Sequence, residues 1–275
     1  MADTPLEISA PALAPHEPPA PSRFGRWLLA LALFGAYFAV QIVVAIPFIA
    51  WLMITKPNLD QADLGNEPLV VWATLIGAGV AAGTTAVVAW AWPSVWKFLS
   101  QQEPFTQAEW IGWATPRHIP LWLVGALTLP IVFAITFGVQ AAVGPSEVAV
   151  QQALFTSPLR QIVASLVVAT VVPLAEELIF RGALYKALLI ARPVASMKWT
   201  DHILPVAITT VLFALVHGLA GFDSLPPFLA IGGLALYLGV MRAITGSVKS
   251  AIVGHVVWNL IGAVALTLSN YLPLQ

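Results

Sequence analysis

Polar side chains in this 275-residue chain are gathered into short stretches that separate long apolar runs, and those runs set the expected fold. From Trp27 to Ile54 there is no charge and one strongly polar side chain, Gln41. At about 1.5 Å of rise per residue, a helix over such a run crosses a hydrocarbon layer about 30 Å thick. The same criterion gives further spans at about 69–92, 119–143, 161–190, 203–219, 226–241 and 247–269. The last three are the shortest and most closely spaced, a pattern also met where one segment re-enters instead of crossing. The expected fold is all-α: a polytopic helical membrane protein of about seven transmembrane helices.

The spans divide the chain into three parts. Residues 1–26 hold six prolines and three acids, a composition with nothing to bury, and read as a disordered tail. A cleaved signal is not expected, because the apolar run is long and starts only after Arg23 and Arg26. Residues 27–118 carry the first two spans and a connection from Lys97 to His118, whose Phe105, Trp110 and Trp113 suggest an amphipathic piece lying in the interface. Residues 119–270 carry the remaining spans. Gly79 and Gly83 form a GxxxG in the second span, the pattern of a helix-packing face.

Charge orients the spans. With a cytoplasmic N-terminus, Arg23, Arg26, Lys97, Arg117, Lys186, Arg192, Lys198, Arg242 and Lys249 fall inside, against Lys56 and Arg160 outside, which is the positive-inside pattern. The 55–68 loop with Asp60, Asp63 and Glu67 then faces out. Composition narrows the class: 59% hydrophobic and 9% charged residues exclude a soluble domain, for which about 45–50% and about 25% are usual. A net charge of −1 with singly placed basic residues gives no surface for nucleic acid. Without cysteine there is neither a disulfide framework nor a thiolate site.

Three polar clusters sit where the bilayer makes polarity costly. In Pro173-Leu-Ala-Glu176-Glu177-Leu-Ile-Phe-Arg181 the two glutamates point about 100° apart on a helix, and Glu177 and Arg181 are i,i+4 neighbours able to pair. That leaves Glu176 without a local partner and makes it the candidate general base. Phe213-Ala-Leu-Val-His217 closes the fifth span, and His255-Val-Val-Trp-Asn259 stacks an imidazole and an amide on one face of the seventh. Measured from the same end of their spans, the clusters reach similar depths, so one cavity bounded by spans four, five and seven can gather them. Gly218, Gly221, Pro226 and Pro227, just after His217, would break the helix and give that cavity an opening.

A glutamate, two histidines and an amide suit hydrolysis of a carbonyl group, with a base for water and donors for the oxyanion. Glu176, His217 and His255 are equally the donor set of a catalytic zinc, although HExxH spacing is absent. Neither a GxSxG nucleophile nor a glycine-rich phosphate loop occurs. A proton-coupled transporter using the same groups as a relay is a further reading, although no internal repeat is visible.

In order, EExxxR at Glu176, Glu177 and Arg181, FxxxH at Phe213 and His217, and HxxxN at His255 and Asn259 resemble the CPBP family of CAAX proteases and bacteriocin-processing intramembrane proteases. The resemblance covers about residues 120–270. It implies an intramembrane endopeptidase acting on a membrane-associated peptide or protein, with its site on the cytoplasmic side of the bilayer. Glu176 would activate water together with His217, His255 and Asn259 would stabilise the oxyanion, and Glu177 with Arg181 would hold the geometry. The family is often labelled metalloprotease, and these roles also describe a glutamate mechanism without zinc. Some relatives act as non-proteolytic partners, such as immunity or scaffolding proteins. Longer members have eight spans, one more than the hydropathy gives here. The tail, the charge pattern and the lack of cysteine fit a bacterial inner-membrane protein.

Overall fold

The computed structural model describes residues 22–58, 67–101, 105–144, 157–189, 197–219 and 225–271. Among these there is no strand, and seven helices are long and apolar enough to cross a membrane. They are α1 (Arg23–Thr55), α2 (Pro68–Ser100), α4 (Leu121–Val143), α5 (Pro158–Leu188), α6 (Thr200–Leu219), α7 (Leu225–Thr245) and α8 (Val248–Tyr271), with a single short helix, α3 (Gln107–Ile111), between α2 and α4. Each apolar run in the sequence has become one of them. Large apolar side chains such as Trp51, Ile54, Val87, Phe98 and Phe137 remain exposed on their outer faces, a surface suited to lipid and costly in water. The protein is a multi-pass membrane protein.

The helix ends depart from the hydropathy boundaries. α1 starts at Arg23, capped by the Ser22 hydroxyl, which accepts from the Gly25 amide at 3.0 Å. Four residues assigned to the tail therefore belong to the helix, and Arg26 among them is buried against protein. Residues 1–21, Asp60, Asp63, Arg192 and Gly221 lie outside the described residues. At the start of α7, Pro226 and Pro227 occupy the first turn, where a missing N–H leaves no intrahelical bond unmade.

α5 is the centre of the bundle, in contact with α1, α2, α3, α6, α7 and α8, while α4 packs on α7 and α8. It is not a uniform helix. Two π-helical stretches, Val167–Val171 and Leu178–Leu184, flank an ordinary segment from Val172 to Glu177. In the first, the Val172 amide bonds back five residues to the Val167 carbonyl. The next amide in that register would reach Val168, but residue 173 is proline and has none. The second stretch widens the helix so that Leu178 through Ala183 are all buried. Such wide turns concentrate at functional sites.

The connection between α2 and α4 packs its apolar side chains onto the bundle. Trp110 and Ile111 are fully buried, and the Trp110 ring stands edge-on to Trp92, Trp96 and Phe105. Beyond it, Gly112 accepts from the Val248 amide, Ala114 accepts from the Ser247 hydroxyl, and the Arg117 amide donates to Thr245, so this strap clamps the α7–α8 turn. The GxxxG in α2 is not packed at both of its glycines. A Cβ built at Gly79 would stand 3.8 Å from Val167 of α5, nothing lies within 4 Å of one built at Gly83, and the glycine turned to α1 is Gly77, against Val44.

Gly112 is required twice over. Its φ is +71°, and a Cβ there would collide with the Arg242 guanidinium. Gly112→Ala should lower the thermal midpoint of the detergent-purified protein, a loss on the order of 2 kcal/mol or more. A midpoint equal to wild type would mean that the strap and Arg242 can separate without cost.

Candidate active site

The three polar clusters meet. Glu176 and Glu177 leave α5 between its two π stretches, His217 comes from the last turn of α6, and His255 and Asn259 come from α8. Glu177 is fully buried, and its Oε1 accepts from Arg181 Nη1 at 3.0 Å and from His255 Nδ1 at 2.9 Å. The second amino group of Arg181 donates to the Ala235 carbonyl of α7 at 2.8 Å, and its guanidinium lies over the Phe213 ring at 4.5 Å. The i,i+4 pair expected from the sequence is therefore present, and it also ties α5 to α7 and α8.

Glu176 faces the other way. Its two oxygens lie 3.7 Å from His217 Nε2 and 3.7 Å from His255 Nε2, so the carboxylate is bracketed by two imidazoles. Both rings are oriented from behind: His217 Nδ1 donates to the Phe213 carbonyl at 2.8 Å, and His255 Nδ1 donates to Glu177. In each ring Nε2 is thereby the atom turned to Glu176. A gap of 3.7 Å exceeds a direct hydrogen bond and suits one oxygen atom bonded to both sides. The bracket opens past His217, whose side chain is 21% exposed against 4% for His255.

Asn259 does part of its work on the backbone. Its Nδ2 donates to the Val168 carbonyl at 3.0 Å, the acceptor that Pro173 leaves unused. One amide hydrogen is spent in fixing α8 against α5, and the other is left for a ligand.

Two further residues shape the site and were not assigned roles from the sequence. Phe213 is the spacer of the FxxxH motif: it is buried, Arg181 covers it, His217 stacks on it with ring centroids at 4.3 Å, and His255 meets it edge-on at 5.7 Å. A phenylalanine four residues before a histidine shares its helix face, so the spacing carried this signal. The buried Tyr37 of α1 bonds to Gln41 and lies in the electrostatic field of Glu176. No spacing argument links α1 to this site, and only the lone polar Gln41 in an apolar run marked the place.

Two imidazoles and a carboxylate are suitable zinc donors by chemistry. As placed, however, no group of three or more His, Cys, Asp or Glu among the described residues is arranged to hold a metal ion.

Removing Arg181 strands a buried acid. Arg181→Ala should reduce the amount and heat stability of the protein in membranes, by about 3–5 kcal/mol, because Glu177 then keeps its charge without its cation. Wild-type abundance and melting in this variant would show that the pair does not carry the packing of α5.

No curated protein and no solved structure matches the chain. A family model does match. A model described as type II CAAX prenyl endopeptidase Rce1-like matches residues 158–261, which hold all six site residues, in keeping with the family the motifs resemble.

Proposed function

We propose that this protein is an intramembrane endopeptidase that hydrolyses a peptide bond of a membrane-associated protein or peptide, with Glu176 activating the water. The observation that carries this reading is the bracketed carboxylate, with a fixed imidazole Nε2 on each side of it. Glu176 takes a proton from water held between it and His217, and the hydroxide adds to the scissile carbonyl carbon. The second amide hydrogen of Asn259 serves the developing oxyanion, and so does His255 as an imidazolium that donates from Nε2 while Nδ1–H stays on Glu177. The proton held by Glu176 then passes to the leaving amine as the C–N bond breaks. Arg181 and Glu177 touch no reacting atom in this scheme; they fix His255. The family match supports a protease and a membrane-borne substrate.

Glu176→Gln should leave abundance and melting unchanged and lower turnover by a factor of order 10² or more. The readout is a comparison of peptide termini in host membranes carrying wild type, Glu176→Gln or a deletion. Termini that require the intact glutamate identify the substrate, and identical termini in all three membranes would remove the protease reading in favour of a non-proteolytic partner or a transporter.

Metal dependence is tested separately on that substrate. The glutamate reading expects full activity after treatment with a strong zinc chelator. Activity lost to the chelator and restored by zinc would instead assign Glu176, His217 and His255 to a metal.

A further inference from the structure

Two further arginines are buried in the bundle and are not paired with an acid. Arg26 of α1 is 7% exposed and Arg242 of α7 is 3% exposed, and among the described residues neither has a carboxylate within ion-pairing distance. A buried charge in that state is costly. Arg242 donates from Nε to the Arg181 carbonyl at 2.9 Å, rests its face on the Tyr185 ring at 4.9 Å and lies against Gly112. Arg26 makes one long bond of 3.4 Å to the Lys186 carbonyl, and its Nε has no acceptor.

More positive charge converges there. Lys186 lies in the field of Arg26, Arg117 and Arg242, and the Arg117 side chain would stand 3.9 Å from a Cβ built at Gly246, next to the end of α7. His202, bonded through Nδ1 to the Tyr185 hydroxyl, stands in the same field with Asp201 beside it. The acid that reaches Arg26 and Lys186 is Glu109, and one of its oxygens already takes both the amide and the hydroxyl of Thr106. Next to Arg26, the Trp96 ring closes over Gly25, and the buried indole N–H groups of Trp92, Trp96 and Trp110 have no acceptor among the described residues. The region is rich in donors and short of acceptors.

Its position in the fold indicates the source of an acceptor. Arg26 lies at the start of α1, Arg117 just before α4, Lys186 at the end of α5 and Arg242 at the end of α7, so the cluster occupies one end of the membrane-spanning bundle. The exposed side chains of Phe24, Phe98 and Trp199 belong to the same helix ends. We propose that this end of the bundle binds the phosphate of an anionic phospholipid headgroup through Arg26, Arg117, Lys186 and Arg242. Planar guanidinium groups match phosphate oxygens in pairs, and basic recesses between spans at headgroup depth suit such lipids. Glu176 and the bracketing histidines take no part, so the inference stands apart from the proposed reaction.

The test uses the full chain in mild detergent, with native mass spectrometry and thermal unfolding as readouts. Phosphatidylglycerol should stay bound through delipidation and raise the melting midpoint, phosphatidylcholine should do neither, and inorganic phosphate should act on the same residues far more weakly. The double variant Arg117→Gln, Lys186→Gln, which spares the two buried arginines, should bind phosphatidylglycerol about tenfold or more weakly while melting like wild type without lipid. Equal retention of the two lipids by wild type would overturn the proposal, and so would wild-type affinity in the double variant. Stabilisation by phosphate, or by a peptide with a free C-terminal carboxylate, that matches phosphatidylglycerol at equal concentration would assign the recess to a soluble anion and equally overturn it. If the double variant does not fold, Lys186→Gln alone and the wild-type lipid comparison decide.

Discussion

Everything at the centre of this bundle depends on the buried charge of Glu177. A carboxylate with no exposure needs a cation and hydrogen-bond donors close by, and it finds them on two helices: Arg181 one turn along α5 and His255 on α8. Arg181 in turn reaches the α7 backbone and presses on Phe213 of α6. One acid thus sets how four helices stand relative to one another. The neighbouring Glu176, held by the same backbone about 100° away, is then aimed between two imidazoles. Adjacent glutamates serve two ends here: one organises the protein, and the other stays uncommitted to any cation.

The seven spans could be read from hydropathy because each is an apolar run of nearly the length a bilayer requires or more, bounded by polar stretches. The pairing of Glu177 with Arg181 could be read because i,i+4 neighbours share a face whatever the tertiary structure. What hydropathy missed is contact. Arg26 and Arg242 resembled ordinary charges at the ends of spans, yet both are inside protein, since a window average does not tell lipid from a neighbouring helix. The aromatic strap around Trp110 shows the same limit: amphipathicity tells that one side is apolar without saying what covers it. The π turns of α5 were also out of reach. Pro173 hinted at a broken ladder, but only the packed structure shows which carbonyl it leaves free and that Asn259 comes from another helix to meet it.

The site also shows how local geometry substitutes for side-chain number. His217 is fixed by a carbonyl four residues earlier in its own helix and by the ring of the same residue, so Phe213 supplies both an acceptor and a surface. His255 is fixed by a carboxylate from another helix. One imidazole is therefore held within α6 and the other between helices, and any movement of α6 relative to α5 carries His217 with it while His255 stays with Glu177.

Pro173 has a mechanical consequence. Because the Val168 carbonyl is answered by Asn259 and Glu177 by His255, α5 and α8 are riveted at two heights, about 9 residues of α5 apart. Two ties at different heights oppose both sliding and rotation of α8 against α5. α6 meets this pair at Phe213, with the Arg181 guanidinium over the ring face and Phe180 and His255 at its edge, and again near its start, where the Tyr185 hydroxyl bonds to His202. Missing one backbone hydrogen, the central helix has gained a second tie to α8.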